Sequence, residues 1–192
     1  AAAHRGPYPG EFSTEEALGL IDEIASFAAP VVILTGGEPL LRPDVFDLAR
    51  RGTDRGLRMV IAPNGTLVDA EAARRMKQSG IQRASISLDG ATAAEHERFR
   101  GPGTFARTLD GLVRLERAGI LPIVTATQHD DEDPLAFAER YRAVLAAAGV
   151  ARPRLKLIPL FRLGRERARS RDYDALETLA DLDPVAFDPT RL

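Results

Sequence analysis

Cysteine is absent from all 192 residues. That excludes disulfides, thiolate metal sites and a cysteine nucleophile within the chain. Lysine is almost as scarce: of the 26 basic residues only Lys77 and Lys156 are lysines. Histidine is limited to His4, His96 and His129, too far apart for metal-ligand spacing. No apolar run approaches the roughly 18–20 residues of a membrane span, and the start of the chain has no signal-peptide pattern. No membrane partner is expected, and the reading is a cytoplasmic protein. A formal charge of -2 gives no electrostatic reason to expect nucleic acid. The arginines at Arg162, Arg165, Arg167, Arg169 and Arg171 lack the interleaved aromatics that would change that. Neither a GxGxxG fingerprint nor a P-loop occurs. The first residue is Ala1 rather than Met, so a processed or cut chain is expected.

What the sequence does contain is one repeating unit: a short apolar strand, a Gly/Pro/polar turn, then an amphipathic helix. Strand candidates are Val31–Thr35, Arg58–Ala62, Ala84–Leu88, Ile123–Thr127 and Leu155–Leu160. They are nearly continuous in Val, Ile, Leu and Thr, as strands buried on both faces are. Helix signals lie between them. Ser13 and Glu16 have capping-box spacing, Pro43 suits a first helical turn, and Asp69, Thr104 and Asp133–Pro134 suit helix starts. Gly80, Gly119 and Gly149 suit helix ends. The alternation predicts an α/β fold with a parallel sheet and right-handed crossovers, either a barrel or an open doubly wound sheet. Ligands of such sheets sit at the carboxyl ends of the strands.

Those ends are polar. The first reads Gly36-Gly37-Glu38-Pro39, where adjacent glycines let a ligand approach the backbone and Glu38 can accept from an ammonium or orient the turn. The second reads Asn64-Gly65-Thr66. In the third, Ser85 and Ser87 share one face of the strand, and Asp89 at its tip can accept from a sugar or cap a helix. Arg100, flanked by Gly101 and Gly103, suits a carboxylate or phosphate clamp. The fourth ends Thr127-Gln128. Each has a plain alternative: tight turns for the Gly and Asn sites, backbone-satisfied serines, a solvated arginine. His96 is given no role as a metal ligand, and the acidic run Asp130–Asp133 is read as a solvated loop and helix start that suits the helix dipole.

Taken in series, these strand ends resemble the radical S-adenosylmethionine (SAM) superfamily. Gly36-Gly37-Glu38-Pro39 resembles its GGEP motif, Asn64-Gly65-Thr66 its NGT element, Ser85–Gly90 its fourth-strand element, and Phe99-Arg100-Gly101 with Gly103 the arginine segment that follows. Order and spacing match over roughly Ala1 to Phe161. The nearest group modifies peptides or tetrapyrrole-type cofactors, often with a cysteine-rich C-terminal cluster domain. The resemblance implies a partial (β/α)6 TIM-like barrel over residues 1–161, with the first strand and cluster loop missing, and a post-barrel segment or linker over 162–192. It implies that SAM is the cofactor. Gly36, Gly37, Glu38 and Pro39 would receive its amino group. Ser87, with Ser85 and Asn64, would face its ribose and methionyl portion, with Asp89 near the sugar. Arg100 would take its carboxylate, and Thr127 and Gln128 would lie near the adenosine. The family holds a [4Fe–4S] cluster on CxxxCxxC. Those cysteines are expected upstream of Ala1, so the chain supplies no metal ligand, no catalytic residue is identifiable in it, and it is expected to be inactive alone. Expected partners are a small-molecule or peptide substrate and an electron donor. Two other readings stay open: a cluster-free SAM-binding or interaction module of the same fold, and an ordinary barrel aldolase or isomerase, for which Lys156 is the strand-borne lysine candidate.

Overall fold

In a computed structural model of the chain, residues 10–128 and 132–159 are described. The expected helix-then-strand order is present. It runs α1 (Thr14–Phe27), β1 (Val31–Leu34), a 3-10 turn (Pro39–Leu41), α2 (Val45–Asp54), β2 (Arg58–Ile61), α3 (Ala70–Gln78) and β3 (Arg83–Ser87). It continues with α4 (Ala93–Arg100), α5 (Thr104–Arg117), β4 (Leu121–Gln128), α6 (Pro134–Ala147) and β5 (Arg154–Pro159). The calls on His4, His129–Asp131 and everything from Leu160 onward lie outside the described residues.

All five strands are parallel, and their order in the sheet is their order in the chain. Each strand therefore returns beside its predecessor through a helix, as a parallel pair requires. The register decides which residues share a face. Met59 lies beside Val32, Ala84 beside Ile61, Val124 beside Ile86, and Leu157 beside Ala126. This face is covered by Ile21 of α1, Leu48 and Ala49 of α2, Met76 of α3, Leu112 and Leu115 of α5, and Tyr141 and Leu145 of α6. It is the core. At about 1.5–3 kcal/mol for each large apolar side chain fully buried, it is the main source of stability. Burial also raises the Tyr141 phenol well above its usual range.

The caps explain where the helices start. Ser13 and Glu16 make the expected reciprocal capping box on α1, and Asp69 accepts from the Ala72 N–H at 2.7 Å. Two expectations are corrected. Pro43 lies outside α2, which begins at Val45 behind Asp44; the Asp44 carboxylate is engaged by Arg42 and by the Thr14 hydroxyl, and the backbone of this stretch closes the 3-10 turn first. Thr104 is the first residue of α5 rather than its cap; that position belongs to Gly103, in the left-handed conformation, and the Thr104 hydroxyl donates back to the Gly101 carbonyl. The short polar segment around His96 is a helix, α4, opened by a full Thr92–Glu95 capping box. Among the described residues no helix is long and apolar enough to cross a membrane.

Candidate functional site at the carboxyl ends of the strands

The β1 end turns at Gly36, whose φ of 141° favours glycine and whose missing Cβ would meet nothing within 4 Å. The backbone there is open to approach. Two residues on, Glu38 does two jobs. One carboxylate oxygen caps the 3-10 turn by accepting from the Leu40 N–H at 3.1 Å. The other accepts from the Asn64 N–H at 2.7 Å. The second bond ties the end of β1 to the end of β2, so the GGEP and NGT segments form one unit. Burial pushes the Glu38 carboxyl above its ordinary value, and the two N–H donors only partly oppose it. No cationic side chain among the described residues pairs with it. Pro39, next to it, is buried.

The Asn64 side-chain oxygen accepts from both the Thr66 N–H and the Thr66 hydroxyl, an Asx-type turn that leaves the amide nitrogen without a partner among the described residues. Ser85 and Ser87 lie half-buried on the sheet face opposite the helices, and Ser85 is 3.2 Å from the Thr125 hydroxyl. Thr127 continues that face one step further along β4. Gln128 donates to the Glu132 carbonyl, just ahead of α6.

Asp89 and Arg100 pair with each other through the arginine Nε. The two remaining guanidinium nitrogens have no partner among the described residues. Sequence reasoning missed how this pair is held. The Asp89 N–H donates to Nδ1 of His96, which is buried and stacks obliquely on Phe105. Gly90 lets α4 approach: a Cβ there would sit 2.3 Å from the Glu95 Cβ and 2.4 Å from the His96 nitrogen. Glu95 then accepts from the Ala91 and Thr92 N–H groups and receives Arg140 of α6. The Thr92-x-x-Glu95 spacing was the available signal for this network.

Because Nδ1 of His96 accepts a hydrogen bond, the ring is neutral in the fold. Burial lowers its pKa below 6.5, the neighbouring Arg100 charge adds to that, and Asp89 opposes it. The unfolded chain therefore binds more protons just below pH 6.5, so this contribution to stability is intact above 6.5 and is lost as pH falls toward the folded value. Thermal unfolding of the wild type should show a midpoint that drops as pH falls from 6.5, with a shallower drop in His96→Asn. Equal slopes in the two proteins would rule this out.

Comparison with known proteins places the arrangement. Residues 1–140 match the family profile of the radical SAM superfamily. The AdoMet-dependent heme synthase of Nitratidesulfovibrio vulgaris is 48% identical over 150 residues, 75% of this chain and 41% of that protein. The Fe-coproporphyrin III synthase of Methanosarcina barkeri is 42% identical over 114 residues, 59% of this chain and 28% of that protein. The chain thus spans less than half the length of these relatives. Streptococcus suis SuiB, in a crystal structure bound to S-adenosylmethionine, superposes on 79% of this chain and 35% of its own with a TM-score of 0.62 at 12% identity, a likeness of fold. A parallel sheet in chain order, with the GGEP turn and the NGT turn joined through Glu38, belongs with a family match over most of the chain: this protein is a member of the radical SAM superfamily.

Proposed function

We propose that the chain is the SAM-binding core of a radical enzyme that matures a tetrapyrrole-type or peptide-derived cofactor. The observation that carries this reading is Glu38: a desolvated carboxylate beside an open glycine backbone, held by two N–H donors and lacking a cation. The amino group of SAM has the chemistry to complete it, with Gly36, Gly37 and Pro39 shaping the turn around it. Arg100, fixed by Asp89 through Nε, offers its two free nitrogens to the SAM carboxylate in a bidentate fork. Ser87, Ser85 and the unpaired amide of Asn64 suit the ribose and methionyl portion. Thr127 and Gln128 suit the adenosine.

When bound, SAM would supply radical hydrogen-abstraction chemistry toward a substrate. What this chain's residues do is narrower: they bind and orient the cofactor and line the face where substrate would sit. They do not fit an iron–sulfur cluster. The chain has no cysteine, and among the described residues no group of three or more His, Cys, Asp or Glu can hold a metal. Cluster ligands belong to residues other than these. The relatives' names favour tetrapyrrole chemistry. Membership of this superfamily disfavours the aldolase reading, as does the absence, within the five described strands, of any acidic residue on the sheet face that carries Lys156.

The test is anaerobic iron and sulfide analysis of the full-length protein, followed by SAM and a strong reductant. Stoichiometric iron and sulfide with SAM-dependent 5′-deoxyadenosine are expected. Full-length protein that binds SAM but forms no 5′-deoxyadenosine would leave a cofactor-binding module instead.

A further inference from the structure

Helix α4 has little apolar surface with which to seat itself on the sheet. Of its eight residues only His96 is buried, at 1% exposure. His96 and Arg100 are four residues apart, so they lie on one face of the helix, a turn from each other. Both reach the same residue at the tip of β3. Nδ1 of His96 accepts from the Asp89 N–H at 3.1 Å, and Nε of Arg100 donates to the Asp89 carboxylate. The helix therefore grips Asp89 at two points, by its backbone and by its side chain.

The other attachments of α4 lie elsewhere. The Thr92–Glu95 capping box and the ion pair of Glu95 with Arg140 hold its first turn. Glu97 accepts from the Phe105 N–H at 3.2 Å, which ties α4 to α5 rather than to the sheet. The bond from His96 is the one that joins α4 to the β3 tip beside the arginine. An uncharged acceptor suits this place. Asp89 faces the ring from the β3 tip, Arg100 and Glu97 face it from α4 itself, and Phe105 of α5 covers it, ring centroids 5.9 Å apart. A carboxylate here would set a second negative charge against Asp89. A protonated imidazole would have no lone pair for the Asp89 N–H.

We propose that His96 is a positioning residue for SAM: its neutral ring nitrogen, by holding the Asp89 backbone against α4, sets the direction in which Arg100 presents its two outer nitrogens to the SAM carboxylate. His96 touches no part of the cofactor and acts only through Asp89 and Arg100. The acceptor atom matters here rather than the bulk of the ring. The inference rests on the SAM reading above, because Arg100 meets a carboxylate only in that reading.

The test is anaerobic calorimetry on the full-length protein with two ligands: SAM, and the analogue in which hydrogen replaces its carboxylate. The wild type should prefer SAM by about ten- to a hundredfold, the range for hydrogen bonds to a charged group. His96→Leu removes the acceptor and should bind SAM about tenfold more weakly than the wild type, the lower end of that range. Its affinity for the analogue should not change. His96→Asn puts an amide oxygen where Nδ1 stood and should bind SAM as the wild type does. His96→Gln carries its oxygen one bond further out and should behave like His96→Leu, which keeps the test valid if the leucine variant fails to fold. Adding His96→Leu to Arg100→Ala should weaken SAM no further, because the group it positions is already gone. Leucine and glutamine variants that bind SAM like the wild type overturn the inference. So does a loss that is equal for both ligands, or an asparagine variant as weak as the leucine one. A wild type that takes both ligands equally defeats the reading of Arg100 itself, and the inference falls with it.

Discussion

Glu38→Gln is expected to weaken SAM binding by about ten- to a hundredfold, the loss typical of a hydrogen bond to a charged group. Glutamine preserves the shape of the side chain and can still accept one N–H. It cannot accept from both Leu40 and Asn64, because one of its two terminal atoms is now a donor. It also offers no charge to an ammonium. The two effects separate in calorimetry on the chain: the first loosens the junction between the β1 and β2 ends, the second removes the cation's partner. The pH dependence follows from the raised pKa of Glu38. In the free protein, ionising a buried carboxyl is unfavourable, so its contribution to stability is full below the ordinary 4.5 and is lost as pH rises through the folded value. A bound ammonium reverses the preference. SAM affinity should therefore fall as pH drops through the raised Glu38 value, and that dependence should vanish in Glu38→Gln. Unaltered affinity in the variant would remove the amino group from this position.

Gly90→Ala is expected to cost about 1–3 kcal/mol, the usual range for forcing a methyl group into packed structure. That would lower the unfolding midpoint by about 2–12 °C for a chain of this size. The cause is proximity rather than backbone conformation: the new Cβ would meet the backbone of Glu95 and His96, which cannot swing aside as a side-chain tip can. Relief requires α4 to move away from the sheet. That would stretch the bond from the Asp89 N–H to His96 and release the aspartate that holds Arg100. Gly19→Ala is the contrast. It lies inside α1 with nothing within 4 Å of a new Cβ, and should stabilise by about 0.5–1 kcal/mol through helix propensity. Scanning calorimetry on the two variants distinguishes them by sign; a neutral Gly90→Ala would mean that α4 is not seated as described.

The strands were legible because each is an apolar run bounded by turn residues, and every candidate overlaps an observed strand, with ends differing by one or two residues. The caps at Ser13, Asp69 and Asp133 were legible because a side-chain oxygen three residues ahead of an orphan N–H is a local relation. Helix α4 was overlooked although Thr92 and Glu95 spell a capping box, because its eight residues carry almost no apolar stripe: only His96 faces inward. Periodicity is silent when the buried residue is polar. The pairing of Asp89 with Arg100 could not be read either. The family resemblance implies a role for each beside SAM, but their mutual bond depends on where α4 packs, a tertiary fact. The same holds for Arg58, Arg83, Arg154 and Lys156, which are scattered over the chain and come to one sheet face only through strand alternation and register.

Chain order and sheet order coincide here, so each strand hydrogen-bonds only to the units immediately before and after it. Such a sheet grows by accretion. A further strand–helix unit can be laid against the outer side of β1 or of β5 without breaking any ladder already formed, since both sides are open among the described residues. The architecture can lengthen or shorten at its margins while the middle, with β3 and its serines, keeps its neighbours unchanged.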